Sequence, residues 1–392
     1  MIYVHVPFCR SFCTYCDFYS EVASKCRDSE QMSRQEKLFD SYLEAVRAEI
    51  GTRKDEISRV FASNDANTLY FGGGTPSVLP LSAFERILDA LEDVGVRTDF
   101  REFTVEVNPE DVVANGLPYI KGLQSLGVNR ISMGVQSFDD KVLKFMNRRH
   151  SAENAINAYH ILEEAGFENI SIDLIFGLPQ LSDEQWRETL ESALNISSRG
   201  IPPAHISSYQ LSVEPGSMLA KMVQRGLWNE AEDEQCARQY EQMCQTLGKA
   251  GYHHYEISNF ARPGFEAVHN SAYWERVPYV GLGPGAHSFI GFSERKWNKE
   301  DLTSYIEAGR TGDFSLVSDG ETLDREQMAM EQVMLGLRTS DGVPQVLLKK
   351  HCDSLALEQA LGCGDLVVLK DSRVRIPESR FFVSDSIISD LL

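Results

Sequence analysis

Short apolar runs alternate with amphipathic patterns along the first two hundred residues. In the amphipathic segments apolar residues recur three or four positions apart, as at Leu38, Tyr42 and Val46, which places them on one face of a helix. The apolar runs are shorter and rich in β-branched and aromatic residues, which favours strands. Strands are predicted at residues 2–6, 68–71, 103–107, 130–135, 169–176 and 205–211.

This alternation predicts a parallel sheet, because parallel strands need a crossover connection that is usually a helix. Two of these helices are predicted to start at capping boxes, formed by Ser82 with Glu85 and by Ser182 with Gln185. Six strand–helix units are fewer than the eight of a complete (β/α)8 barrel. We therefore predict an α/β fold with a partial (β/α)6 TIM-like barrel. An open doubly wound sheet is the alternative.

The pattern changes after about Pro215, where glycine, proline and aromatic residues become frequent. A helical pattern begins near Asp324, and two short apolar runs around Asp371 and Ser372 predict a hairpin. Helices followed by a small hairpin predict an α+β, winged-helix-like domain at this end of the chain. The predicted domains are 1–235 for the partial barrel, 236–310 for a connecting region and 311–392 for the C-terminal domain.

The charge balance narrows the class of protein. The 392 residues include 38 Lys and Arg against 58 Asp and Glu, which gives a net charge of −20. Proteins that bind nucleic-acid phosphates usually carry the opposite balance, so nucleic acid is excluded as the main partner. The first residues show no leader pattern, and no long uncharged apolar segment follows. We therefore expect a soluble, cytoplasmic protein.

Three of the eight cysteines crowd into the first sixteen residues as Cys9, Cys13 and Cys16. They follow the first predicted strand directly, and loops at the carboxyl ends of barrel strands are where such folds place their chemistry. Three thiolates on a tight loop can bind three irons of a [4Fe–4S] cluster and leave the fourth iron open. A zinc site is the alternative, but its fourth ligand would be His5 or Cys26, neither at a usual spacing.

Polar residues and glycines mark the ends of the later strands. The second strand runs into a Gly-Gly-Gly-Thr-Pro segment, in which glycine lets the backbone approach a ligand closely. Because the ends of parallel barrel strands converge on one mouth, these positions predict a binding site there. The candidate residues are Gly73, Gly74, Thr75, Glu106, Gln136, Arg148 and Asp173.

The C-x3-C-x2-C spacing, with Tyr15 just before its last cysteine, resembles the radical S-adenosylmethionine (SAM) superfamily. The resemblance implies that the open iron chelates SAM and that the reduced cluster cleaves SAM to a 5′-deoxyadenosyl radical. It also implies a set of SAM-binding residues, namely Tyr3, Tyr15, Gly73, Gly74, Thr75, Glu106, Gln136, Arg148 and Asp173.

Over nearly the whole chain the motifs resemble the oxygen-independent coproporphyrinogen III oxidase family and its relatives, the HemW-type heme chaperones. Two departures favour the chaperones: Phe18 stands where the oxidase has a further cysteine, and only eight residues precede Cys9. His269-Asn270-Ser271-Ala272-Tyr273-Trp274 matches the H-N-x-x-Y-W element associated with heme binding in the chaperones. An imidazole can ligate heme iron, although His269 taken alone would be an ordinary hydrogen-bonded histidine.

The resemblance implies a heme-binding chaperone that uses a [4Fe–4S] cluster and SAM, with heme bound at His269 and passed to acceptor proteins. The alternative is oxidative decarboxylation of coproporphyrinogen III to protoporphyrinogen IX by radical chemistry. A third, more distant hypothesis is a radical SAM enzyme for a substrate that is not a tetrapyrrole. No catalytic residue is assigned, and the sequence leaves open whether the chain is an enzyme, forms a homodimer or meets acceptors at a membrane surface.

Overall fold

The computed structural model describes residues 1–22, 29–62 and 66–392. Cys26, one of the two alternative zinc ligands, lies outside the described residues. The strands of the described chain are β1 (Ile2–Val6), β2 (Phe8–Cys9), β3 (Glu21–Val22), β4 (Thr68–Gly73), β5 (Glu102–Val107), β6 (Arg130–Gln136), β7 (Ile170–Phe176), β8 (His205–Gln210), β9 (His253–Glu256), β10 (Asn259–Ala261), β11 (Val280–Leu282), β12 (His287–Ile290), β13 (Glu294–Asn298), β14 (Ser318–Thr322), β15 (Val343–Pro344), β16 (Val367–Val368) and β17 (Arg373–Arg375).

Helices cover the outside of the sheet and build most of the C-terminal region. Among those of the central region, α3 buries Phe84, Ile87 and Leu91 on its apolar face. The helices are α1 (Ser29–Thr52), α2 (Lys54–Ala62), α3 (Leu81–Asp93), α4 (Pro109–Ser125), α5 (Asp140–Phe145), α6 (Ala152–Ala165), α7 (Asp183–Leu194), α8 (Met218–Gln224), α9 (Asp233–Lys249), α10 (Val268–Trp274), α11 (Leu302–Thr311), α12 (Arg325–Gly336), α13 (Gln345–His351), α14 (Ser354–Cys363) and α15 (Ser384–Leu391).

The main sheet has the strand order β11-β1-β4-β5-β6-β7-β8-β10-β9. Six adjacent strands of this sheet, β1 and β4 to β8, are parallel to one another and correspond to the six predicted strands. They follow chain order in one direction, whereas a doubly wound sheet reverses its order at a switch point. The partial (β/α)6 barrel is therefore confirmed. β11 extends it on one edge, and the antiparallel strands β10 and β9 extend it on the other.

Polar and apolar residues alternate along the central strands. The polar ones face the cavity inside the barrel, and the apolar ones form the hydrophobic core between the sheet and the helices. Along β6, Ser132, Gly134 and Gln136 line a central cavity. The residues between them, such as Ile131 and Met133, are apolar and fully buried. Because successive side chains of a strand point to opposite faces, the polar interior and the apolar layer under the helices come from the same segments.

The two predicted capping boxes have different outcomes. At α7 the Ser182 hydroxyl accepts from the backbone N–H of Gln185, whose side chain bonds back to Ser182, so this prediction is confirmed. At α3 the prediction is wrong, because the helix begins at Leu81 and Pro80 is its cap. Proline has no backbone N–H and a fixed φ, so it sets the helix start ahead of Ser82.

The C-terminal region has the predicted α+β character. β16 and β17 form the predicted hairpin, and β15 joins them in a three-stranded sheet beside α12 to α15. The domain boundaries stay a prediction; β13 and β14 pair across the boundary placed between residues 310 and 311. Among the described residues no helix is both long and apolar enough to cross a membrane.

Candidate functional site

A cavity of about 750 Å³ runs from the carboxyl ends of the central strands down through the barrel. Its position matches the end of the fold at which barrel proteins build their sites. Every site residue predicted from the sequence lies in its wall. These residues are Tyr3, Cys9, Cys13, Tyr15, Cys16, Gly73, Gly74, Thr75, Glu106, Gln136, Arg148, Asp173 and His269.

The cysteine loop is fixed to two neighbouring elements. The backbone N–H of Thr14 donates to the carbonyl of Met146 (3.2 Å), and the Thr14 carbonyl accepts from the N–H of Leu219 (2.8 Å). Burial raises the pKa of Cys9, and it raises that of Cys16 to about 12. These thiols are therefore protonated unless a metal or another cation stabilises the thiolate.

The arrangement of the three thiols bears on the kind of metal group that they could hold. Among the described residues, no group of three His, Cys, Asp or Glu side chains is arranged to hold one metal ion. A cluster binds each cysteine to a different iron, so it does not require the three sulfurs to converge on one point.

The glycines at the carboxyl end of β4 are required by close packing against β1 and β2. Gly73 has φ +101°, and a Cβ there would lie 2.5 Å from the His5 ring. A Cβ on Gly74 would lie 2.7 Å from the carbonyl oxygen of Phe8, while its N–H donates to Val6 (2.8 Å). The next N–H, that of Thr75, donates to the Phe8 carbonyl (2.7 Å). The glycine run thus holds the end of β4 against the start of the cysteine loop.

A buried hydrogen-bond chain links Arg148 to the cysteines. Its Nη1 donates to Cys13 Sγ (3.5 Å) and its Nη2 donates to Asn108 Oδ1 (2.6 Å). Asn108 Nδ2 in turn donates to Thr75 Oγ1 (3.1 Å), which lies 3.5 Å from Cys9 Sγ. Sequence reasoning missed Asn108. Its signal was its position two residues after Glu106, just beyond the carboxyl end of β5.

Two carboxyl groups lie deeper in the cavity. Burial raises the pKa of Glu106 to about 7 although the Tyr70 hydroxyl donates to it (2.7 Å). Burial also raises the pKa of Asp173 to about 6, with the Ser132 hydroxyl at 3.4 Å and Arg130 nearby. Carboxyl groups with such pKa values gain from a ligand that brings positive charge or hydroxyl donors, so they mark this depth of the cavity as a binding surface.

The helix α10, which contains His269, closes the cavity at the opposite end from the cysteines. The Glu102 carboxylate, at the start of β5, accepts from the backbone N–H groups of Val268 (2.8 Å) and His269 (2.9 Å). His269 is 1% exposed, with Nδ1 2.7 Å from Thr68 Oγ1 and Nε2 2.9 Å from the Tyr273 hydroxyl. Burial lowers its pKa to about 3, so the ring is neutral at ordinary pH.

Comparison with known proteins identifies the family. Residues 3–193 match the model of the Radical SAM superfamily. The "Heme chaperone HemW" of Bacillus subtilis is 35% identical over 342 residues, which cover 87% of this chain and 84% of that protein. This chain belongs to the HemW family. Another relative of this HemW-family chain is "Radical S-adenosyl methionine domain-containing protein 1, mitochondrial" of Danio rerio, 31% identical over 100% of this chain and 86% of the relative.

A solved structure shows the fold that this HemW-family chain shares with an enzyme. The coproporphyrinogen III oxidase HemN from Escherichia coli, a radical SAM enzyme, matches with a TM-score of 0.76. The match covers 99% of this chain and 89% of HemN, at 23% sequence identity. At this identity the likeness supports the architecture and assigns no activity.

The cavity of this HemW-family chain fits the cofactors of the superfamily at its open end. Near this end, Arg148 Nε is a buried donor without a hydrogen-bond partner among the described residues, and buried donors normally have one. Three thiols stand at the mouth beside Arg148, so a cluster and a ligand with acceptor atoms suit this end. At the floor the fit to heme iron is poor, because both ring nitrogens of His269 are already hydrogen-bonded.

Proposed function

We propose that this protein binds heme and delivers it to heme-accepting proteins, and that it binds a [4Fe–4S] cluster through Cys9, Cys13 and Cys16. The observation that carries the proposal is a cysteine loop at the mouth of a barrel cavity, in a chain 35% identical to a protein named as a heme chaperone. We place the protein in the cytoplasm, a reducing compartment in which these thiols do not pair as disulfides.

We propose SAM as the second ligand of the cavity. When bound, the cluster supplies an open iron for SAM and an electron for its cleavage. In this arrangement Arg148 neutralises the charge of the thiolates, since its Nη1 already reaches Cys13 Sγ. Glu106 and Asp173 supply acceptors from the walls of the cavity. The remaining proposed contacts are Tyr3, Tyr15, Gly73, Gly74, Thr75 and Gln136.

The proposal for heme has two parts. One is binding itself, which the family supports. The other is axial ligation by His269, which requires the imidazole Nε2 to leave the Tyr273 hydroxyl, 2.9 Å away, or Nδ1 to leave Thr68. Ligation therefore costs one buried hydrogen bond, about 1 kcal/mol or more, before any iron bond forms.

Titration of the purified, cluster-reconstituted protein with heme under anaerobic conditions tests the function. We expect a shifted Soret band that saturates at a fixed ratio of heme to chain, and transfer of that heme to an apo-acceptor such as a heme-free cytochrome. An unshifted Soret band contradicts heme binding. A normal band in a His269→Ala variant contradicts ligation by His269 and leaves heme binding intact.

The rival activity, oxidation of coproporphyrinogen III, is tested with the same preparation. Phe18 disfavours it, since this residue stands where the oxidase has a further cysteine. We expect no protoporphyrinogen IX after anaerobic incubation with SAM, a reductant and coproporphyrinogen III. Formation of that product would replace the chaperone proposal with the oxidase.

A further inference from the structure

We propose that His269 and Tyr273 are positioning residues of the SAM cavity, which hold the Glu106 carboxylate in place from below through Tyr70. The inference rests on the proposed SAM site. It gives the His-Asn-x-x-Tyr-Trp element a role at the floor of the barrel that is separate from ligation of heme iron.

The first observation is a continuous line of buried contacts from α10 to Glu106. The hydroxyl of Thr68 and that of Tyr273 bond the two nitrogens of His269 from opposite sides. The His269 ring packs on the ring of Tyr70, with centroids 5.1 Å apart and planes tilted by 35°. The Tyr70 hydroxyl then donates to Glu106 Oε1 at 2.7 Å.

The second observation is that β4 and β5, which contain Tyr70 and Glu106, both bind α10. Thr68 and Tyr70 are two positions apart on β4, so their side chains point to the same face. Glu102 and Glu106 share a face of β5 in the same way. Glu102 accepts two backbone N–H groups of α10, and Glu106 stands higher on the same face. A shift of α10 therefore acts on Glu106 along both strands.

A second histidine shows that this bonding pattern does not itself mark a heme ligand. The ring nitrogens of His205 lie 2.7 Å from the Ser171 hydroxyl and 2.7 Å from the Tyr255 hydroxyl. This is the arrangement of His269 again, with a fully buried neutral imidazole held between two hydroxyl groups. His205 is on β8, four strands from β4 in the sheet, and its ring packs on Tyr255. It provides a matched control.

SAM affinity of the cluster-reconstituted protein, measured by equilibrium dialysis with wild type and three variants, tests the inference. Tyr70→Phe removes the bond to Glu106, and we expect SAM to bind about tenfold more weakly. Tyr273→Phe removes only the support of His269, and we expect a loss of about threefold. Ser171→Ala removes a bond of His205 without touching α10 and should leave SAM affinity within twofold of wild type.

The pH profile separates positioning from general loss of structure. Glu106 faces Tyr3, Tyr70, Arg130, Asp173 and Tyr273. Since its pKa is about 7, SAM affinity should rise as the pH passes through that value and the carboxylate ionises. The Tyr70 bond lowers this pKa, so in Tyr70→Phe the rise should move to higher pH. A merely destabilised protein would lose affinity without moving the midpoint.

Wild-type affinity in both Tyr70→Phe and Tyr273→Phe would overturn the inference, as would an equal loss in Ser171→Ala and Tyr273→Phe. Heme titration is scored separately. A protein that binds no heme but shows the expected changes in SAM affinity refutes the proposed function and supports the floor role. Normal heme binding with SAM affinity unchanged in the variants supports the proposed function and refutes the floor role.

Discussion

The two ends of the barrel differ in how the chain bonds their motif residues. At the floor, His269 has a partner at each ring nitrogen, and Glu102 caps α10 with two hydrogen bonds. At the mouth, Arg148 Nε has no hydrogen-bond partner within the described part of the chain, and Phe18 leaves 66% of its surface exposed. Both ends contain buried donors without a partner, since Arg130 Nε, Asn270 Nδ2 and Trp274 Nε1 also have none among the described residues. The ends differ at their motif residues: the chain itself bonds both ring nitrogens of His269, whereas the thiols of the cysteine loop line the open end of the cavity.

This difference teaches that a motif does not by itself locate a ligand. The cysteine loop and the His269 element both resemble binding motifs, and both line one cavity. Their surroundings differ: the first has partly buried thiols beside an arginine, and the second is a packed closure. We therefore expect substitution of the thiols at the mouth to remove ligands and substitutions at the floor to remove stability or positioning.

The largest expected effect is at the mouth. Cys13→Ala should lower the iron content after anaerobic reconstitution from about four irons per chain to almost none, since a cluster needs all three thiolates of the loop. Iron analysis with absorption spectroscopy measures this. Cys363→Ala, which changes an exposed cysteine of the C-terminal region, is the control and should keep full iron content. Equal iron in both variants would contradict the assignment of the loop.

The next effect concerns the glycine that joins β4 to the cysteine loop. Gly73→Ala should reduce the free energy of unfolding by about 3 kcal/mol, since it combines a positive φ with a collision against the His5 ring. That ring cannot easily move, because its nitrogens bond the Tyr3 hydroxyl and the Tyr19 carbonyl. Chemical denaturation of wild type and variant measures the loss.

Gly95→Ala is the matched control for this substitution. Gly95 has φ +90° but open space where the Cβ would go, so its replacement carries only the backbone strain, about 1 kcal/mol. A loss at Gly73 no larger than at Gly95 would mean that the strand end is free to move away from β1.

A smaller effect compares two carboxyl groups of one strand. Burial raises the pKa of Glu106 from 4.5 to about 7. The folded state therefore favours the protonated group, and stability falls as the pH rises from about 4.5 to about 7. Glu106→Gln removes that cost and should stabilise the ligand-free protein by up to about 3 kcal/mol at pH 8, and hardly at all at pH 5. Thermal or chemical denaturation at the two pH values measures it.

Glu102→Gln should have the opposite sign. Its carboxylate accepts two backbone N–H groups at the start of α10. Replacing the carboxylate by a neutral amide weakens both bonds, which we expect to cost about 1–2 kcal/mol of stability together. We expect a less stable protein at pH 8. If both substitutions destabilise the protein at pH 8, both carboxylates of β5 stabilise the fold. The contrast between the mouth and the floor is then wrong.

The sequence predicted the parts of the fold and site that depend on local pattern. The six central strands follow from runs of β-branched and aromatic residues. The predicted site residues at the carboxyl ends of these strands, such as Gly73, Glu106 and Gln136, line the cavity because strand ends converge. The sequence did not predict the contacts between residues that lie far apart in the chain. Glu102 and His269 are 167 residues apart in the chain, so nothing near His269 indicated that it closes the floor of the barrel. Tyr70 and Arg130 were missed for the same reason: their importance comes from neighbours on other strands.

The smallest expected effect on stability falls on the residue that separated the two branches of the family in the sequence. Phe18→Ser should change the free energy of unfolding by no more than about 0.5 kcal/mol, since the side chain is largely exposed.

Phe12, on the same loop, is 54% exposed, so the mouth presents two aromatic rings to solvent beside the cysteines. Exposed apolar surface at the rim of a cavity favours contact with an apolar ligand such as a porphyrin face. We therefore expect heme affinity to fall roughly three- to tenfold in the variant, measured by Soret titration. Phe292→Ser is the control, because Phe292 is 71% exposed in the turn between β12 and β13, away from the cavity lining. Equal heme affinity in the two variants would place heme elsewhere than at the mouth and would return His269 at the floor to first place as the ligand.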